Sequence, residues 1–115
     1  MKNADLEKSK VFDIVEILEY VPNSVVVKTI INKITGNVVA VSFDSGKELS
    51  KKSSPFDTFI QAIEGKAEIC IDDIPNLIET GQSIIIPAHS YYMVTTNVRF
   101  KMISTIIKSG YEEVI

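Results

Sequence analysis

Few residues in this chain are equipped for covalent or metal chemistry. It holds one histidine, His89, one cysteine, Cys70, and one arginine, Arg99. A single cysteine permits no internal disulfide and no thiolate metal cluster. Cys70 sits between Ile69 and Ile71 with no adjacent cation to favour a thiolate, so it reads as a small strand hydrophobe. His89 stands in a turn after Pro87-Ala88, where a lone imidazole is solvated. Only Arg99 could fork onto phosphate or a guanine edge. The densest basic cluster, Lys47, Lys51 and Lys52, is interrupted by Glu48 and reads as a solvated loop. With a net charge of −3 besides, nucleic acid is not an expected partner.

The elements that must position such residues are strands. Of 115 residues, 45% are hydrophobic and 23% charged, which excludes disordered and collagen-like classes. There are 18 Ile and 12 Val against 4 Leu and 5 Ala. β-Branched side chains suit a pleated sheet and lose rotamer freedom in a helix, so the core is expected to be all-β. Turn signals recur from Pro22 onward, among them Thr35-Gly36-Asn37, Asp44-Ser45-Gly46, Glu64-Gly65-Lys66, Thr80-Gly81-Gln82 and Pro87 to Ser90. They separate eight expected strands at 24–33, 38–43, 57–64, 66–71, 76–79, 83–86, 91–96 and 98–107, the spacing of a sandwich or small barrel.

Before Pro22, the apolar positions Phe12, Val15, Ile17 and Leu18 predict a short helix. The chain therefore reads as one domain, 1–115, with an N-terminal segment 1–21, a barrel 22–108 and a tail 109–115. The opening MKNADLEKSK is too charged for a signal peptide and no apolar run reaches membrane-spanning length. The cytoplasm is the expected location and a membrane is not an expected partner. Alternation in the last strand puts Phe100, Met102, Ser104 and Ile106 on one face, the better candidate interior, and Arg99, Lys101, Ile103 and Thr105 on the other.

Two stretches carry a family resemblance. Gly46 to Gly65, GKELSKKSSPFDTFIQAIEG, resembles the first cupin motif, G-x5-H-x-H-x3-E-x6-G. Gly81 to Thr96, GQSIIIPAHSYYMVTT, resembles the second, G-x5-P-x-G-x2-H-x3-N, and both spacings fit without a gap. The resemblance spans about residues 12 to 107 and implies a cupin-type double-stranded jelly-roll barrel with a short N-terminal helix. In metal-binding cupins three histidines and a glutamate converge on a divalent ion. Here those positions are Lys52, Ser54, Thr58 and Tyr92, while His89 replaces the second motif's glycine and Thr96 its asparagine. No metal-binding side chain is retained, so no metal and no other cofactor is expected.

The remaining candidates form a binding pocket. Lys52 either reaches an anionic ligand from the barrel rim or extends into solvent from an exposed loop. Ser54 and Thr58 offer hydroxyls to a ligand or to nearby backbone. Tyr92 alternates with Tyr91, so an inward Tyr92 brings a polar tip to an apolar wall. The expected site is Lys52 at the rim with Ser54, Thr58, Tyr92, Phe100 and Met102 lining one cavity near the open end. The leading expectation is a metal-free cupin that binds a small molecule. The alternatives are a metal-independent isomerase or epimerase using Tyr92, Lys52 or His89 as acid–base groups, and a structural or regulatory dimer with a vestigial pocket. A homodimer is expected, through Ile103, the outward members of Ile84 to Ile86, and the N-terminal segment. The resemblance implies the same, because cupins commonly pair through outer sheet faces and exchange N-terminal segments.

Overall fold

The computed structural model describes residues 6–108. Nine strands form two antiparallel sheets: β1 (Val25–Lys33), β2 (Gly36–Phe43), β3 (Glu48–Ser53), β4 (Thr58–Glu64), β5 (Lys66–Ile71), β6 (Ile74–Glu79), β7 (Ser83–Ile86), β8 (Tyr91–Thr95) and β9 (Phe100–Ile107). One sheet has the order β1-β2-β9-β4-β7 and the other β3-β8-β5-β6. This all-β pair of sheets has the layout of a jelly roll, as the motif spacing implied. No helix of the described residues is long and apolar enough to cross a membrane.

Between the sheets lies a closed apolar core. Val41 and Phe43, Ile60 and Ala62, Ala67 and Ile69, Ile78, Ile86, Val94, and Phe100 and Met102 form one cluster. Each pair recurs at a spacing of two, as a strand with one buried face requires. Turn chemistry sets the register. Asp72 and Asp73 both take positive φ, 48° and 70°, which makes the tight two-residue connection from β5 to β6. Gly81, at φ 90°, donates its N–H to Ala62 O while Ala62 N–H bonds to Gln82 O. That is a glycine bulge, and it fixes how β7 meets β4.

The structure corrects three expectations. First, the N-terminal segment holds no helix among the described residues. It makes one turn, closed by Glu16 N–H to Asp13 O at 3.0 Å. One turn cannot offset the cost of helix nucleation, and its β-branched residues add little. Its backbone bonds to the sheet instead: Lys101 Nζ donates to Val15 O, and Ser42 Oγ to Glu19 O. Second, residues 48–53 form strand β3 where a solvated lysine loop was expected. It is an edge strand, and its charges face water there. Third, Ile103, expected on a dimer surface, is only 6% exposed. The segment's own Leu18, with Ile14 and Ile17, packs over Ile103 and Ala40. The expected tail 109–115 lies outside the described residues.

Strand 24–33, whose faces were mixed in sequence, is explained by an irregularity between Thr29 and Ile31. Val25 and Val27 oppose the inward Phe43 and Val41, whereas Ile31 opposes the outward Val38. A one-residue shift moves every later side chain to the other face.

Candidate functional site

The sequence candidates divide between the two ends of the barrel. Loops 54–57 and 87–90 lie at one end, the mouth, because they join β3 to β4 and β7 to β8. Directly paired residues of antiparallel strands share a face. At the mouth the inner face of one sheet is the row Lys52, Tyr92, Ile71, Ile74, read across β3, β8, β5 and β6. The facing row is Asn37, Ile106, Thr58 and Ile86, across β2, β9, β4 and β7. Lys52, Thr58 and Tyr92, far apart in sequence, are thus brought to the same end of the barrel.

Their environments differ. Lys52 is exposed and Thr58 fully buried, while Tyr92 is half-buried against the core cluster. Burial pushes the Tyr92 phenol above its ordinary value of 10.0, so it is neutral and able to donate a hydrogen bond. Ser54 stands on the loop, where its Oγ accepts from Phe56 N–H at 3.1 Å and its carbonyl from His89 N–H at 2.7 Å. Asp57 Oδ1 likewise accepts from Ala88 N–H at 2.9 Å. Ser54 and Asp57 clip the two mouth loops together, which is structural work. His89 sits exposed on that clip with φ 70°.

Phe100 and Met102 are placed elsewhere. Phe100 pairs with Phe43 at the opposite end of β9 from Ile106, ring centroids 5.7 Å apart, and Met102 opposes Val41 and Ala62. Both are fully buried, with Ile60, Ile69 and Val94 filling the layers above. They build the floor of a closed core and do not line the mouth. A small barrel leaves little room once large side chains occupy its inward positions.

A concavity outside the expected site is present. A groove of about 560 Å³ lies on the outer face at the mouth end, lined by Pro55, Phe56, Phe59, Ile85, Thr105 and Ile107 among others. The signal was present in β4, where Phe59 alternates with the inward Thr58 and Ile60. An apolar residue at an outward position marks a surface to be covered.

The metal chemistry of the cupin motif does not fit these residues. An ammonium has no lone pair, Ser54 and Thr58 are neutral hydroxyls, and the Tyr92 phenol is held away from ionisation. Among the described residues no three His, Cys, Asp or Glu side chains come together as a metal site.

No family model matches the chain, and no curated protein matches it. Solved structures do. A conserved protein of unknown function from Streptococcus pyogenes superposes with a TM-score of 0.87 at 25% identity, over 94% of this chain and 95% of that one. A cupin superfamily protein from Desulfitobacterium hafniense gives 0.85 at 20% identity, over 95% and 100%. A cupin 2 conserved barrel domain protein from Leptotrichia buccalis gives 0.82 at 26% identity, covering 84% of this chain and 47% of its own length. This chain spans about half of that last protein. Sheet order, motif spacing and these likenesses agree: residues 6–108 have the fold of a small cupin domain, and the positions that match the motif's metal ligands carry Lys52, Ser54, Thr58 and Tyr92.

Proposed function

We propose that this cupin binds a small organic anion with an apolar body across the barrel mouth, without a metal. The observation that carries the reading is the row Lys52, Tyr92, Ile71, Ile74 on one inner face at the mouth end. The Lys52 ammonium would meet the anionic head, the Tyr92 hydroxyl would donate a second bond, and the isoleucines would cover the apolar part. The packed floor of Phe43, Phe100 and Met102 favours a ligand lying across the mouth over one sunk into the barrel. No described contact pairs the His89 imidazole with a carboxylate, so no observation favours the isomerase reading. A cytoplasmic setting belongs to the proposal, since the free thiol of Cys70 suits a reducing compartment.

Thermal-shift measurements with short- and medium-chain monocarboxylates and alkyl phosphates test it. At least one series should raise Tm in the native protein, and Lys52→Met and Tyr92→Ala should each abolish the shift. No shift with any probe, or an equal shift in both variants, overturns the reading.

A further inference from the structure

Four strands end the two sheets: β1, β7, β3 and β6. A sheet edge presents unpaired backbone donors and acceptors, and proteins blunt such edges with charge, proline or irregularity. Three of the four are blunted in this way. Strand β1 carries Lys28 and Lys33 and an irregular register at residue 30. Strand β3 carries Glu48, Lys51 and Lys52, and β6 carries Pro75 and Glu79. Strand β7 reads Ser-Ile-Ile-Ile, with no charge, proline or bulge between Ser83 and Ile86.

The phase of β7 decides what its edge offers. Ala62 bonds to Gly81 and Gln82 through the glycine bulge. Antiparallel bonding alternates along the strand, so the next residues bonded to β4 are Ile84 and Ile86, opposite Ile60 and Thr58. Ile85, opposite Phe59, turns its N–H and C=O to the free edge. Its side chain, 61% exposed, lines the outer groove beside Phe59 and Ile107.

We propose that β7 is a dimerisation edge, joined antiparallel to β7 of a second copy of this chain about a two-fold axis at Ile85. Keeping the inner and outer faces of both sheets aligned requires residues of equal parity to meet. Ile85 then opposes Ile85 of the partner subunit, and Ile84 opposes the partner subunit's Ile86. The strand compositions favour a second copy at this edge over the other three. A two-fold axis sets each edge against itself, so β3 would oppose lysine with lysine, while β7 opposes only apolar residues and Ser83. Pro87 lacks an amide hydrogen and ends the ladder, and the two-fold closes the assembly against fibre growth. The two outer grooves meet at the paired Ile85 side chains. So short a joint puts the interface at the small end of specific contacts, with micromolar affinity.

Sedimentation velocity from low micromolar to several hundred micromolar protein tests this, with circular dichroism to check folding. The native chain should pass from monomer to dimer over that range. Ile85→Lys should raise the dimer dissociation constant at least about tenfold, because it sets two ammonium groups against each other at the axis. Ile34→Lys, an exposed apolar residue in the β1–β2 turn, should leave it unchanged. Independently, in a Cys70→Ser background, Ile85→Cys should oxidise to a disulfide-linked dimer and Ile34→Cys should not, since residues facing each other across paired strands lie within disulfide reach. A native chain that stays monomeric overturns the proposal and leaves the edge for a different partner. A dimer that survives Ile85→Lys, or an Ile85→Cys variant that does not cross-link, overturns it as well.

Discussion

At the residue scale the best-defined polar cluster lies away from the mouth, on the outer face beneath the N-terminal segment. Lys101 is only 6% exposed, yet its ammonium is satisfied: it donates to Val15 O, lies 3.8 Å from Glu64 Oε1 and sits 4.8 Å from the Tyr20 ring centroid. The Tyr20 hydroxyl donates to the same Glu64 oxygen, and the Arg99 guanidinium stacks 5.0 Å from the ring. Burial first, then the Glu64 carboxylate, pushes the Tyr20 phenol well above its ordinary value of 10.0. The neutral phenol is thereby favoured in the folded state. Its stabilisation is complete below about pH 10 and is lost as pH rises toward the higher native value. Tyr20→Phe should cost about 1 kcal/mol at neutral pH, read from urea unfolding. The gap to the native chain should narrow above about pH 10, where only the native chain loses this contribution. A gap constant to about pH 12 would remove the phenol from the account. Alternation in sequence placed Lys101 on the outward face correctly. That a segment 86 residues away covers it has no local signature.

At the element scale the N-terminal segment acts as a strap. Its apolar positions suggested a helical face, and the same positions serve an irregular chain lying on a sheet. Leu18, Ile14 and Ile17 cover Ala40 and Ile103, so the outer face of β2 and β9 is closed by the chain itself. Leu18→Ala should destabilise by about 2 kcal/mol in urea unfolding, the low end for a buried leucine because the strap can settle into the gap. An unchanged midpoint would mean that the strap is not bound in solution. Strand β3 departs from the sequence expectation for a related reason. Its lysines look like loop residues, but an edge strand has one side free for charge. Strands β4, β5 and β7 were legible because Ile60, Ile69 and Ile86 sit between glycine or proline turns at spacings that only strands satisfy.

At the scale of the whole molecule, a barrel of the cupin fold lacks the histidines and glutamate of the cupin motifs at the matching positions. The glycines and Pro87 remain where corners and strand ends need them, while the ligand positions hold an ammonium, two hydroxyls and a neutral phenol. A chelator wash, or added iron, manganese, zinc or nickel, should leave Tm unchanged within error. Elemental analysis of protein made without an affinity tag should find no stoichiometric transition metal. A metal retained after chelation would mean that other residues form a site, and that the motif register used for Lys52 and Tyr92 is wrong.

The sequence by itself determined the fold class and the corners. β-Branched composition, alternation and positive-φ turn residues are local properties, and local properties survive in a linear string. It also matched residues to the motif's ligand positions, because motif spacing counts along the chain. Only the tertiary structure decided how deep each candidate lies. Lys52, Thr58 and Tyr92 meet at the mouth, whereas Phe100 and Met102, on the same inner face, are layers below. It alone decided that Ile103 is covered and Ile85 is not. Alternation assigns a side chain to a face. Depth along the barrel, and what covers an outer face, depend on strand order and on segments distant in sequence, which no local pattern encodes.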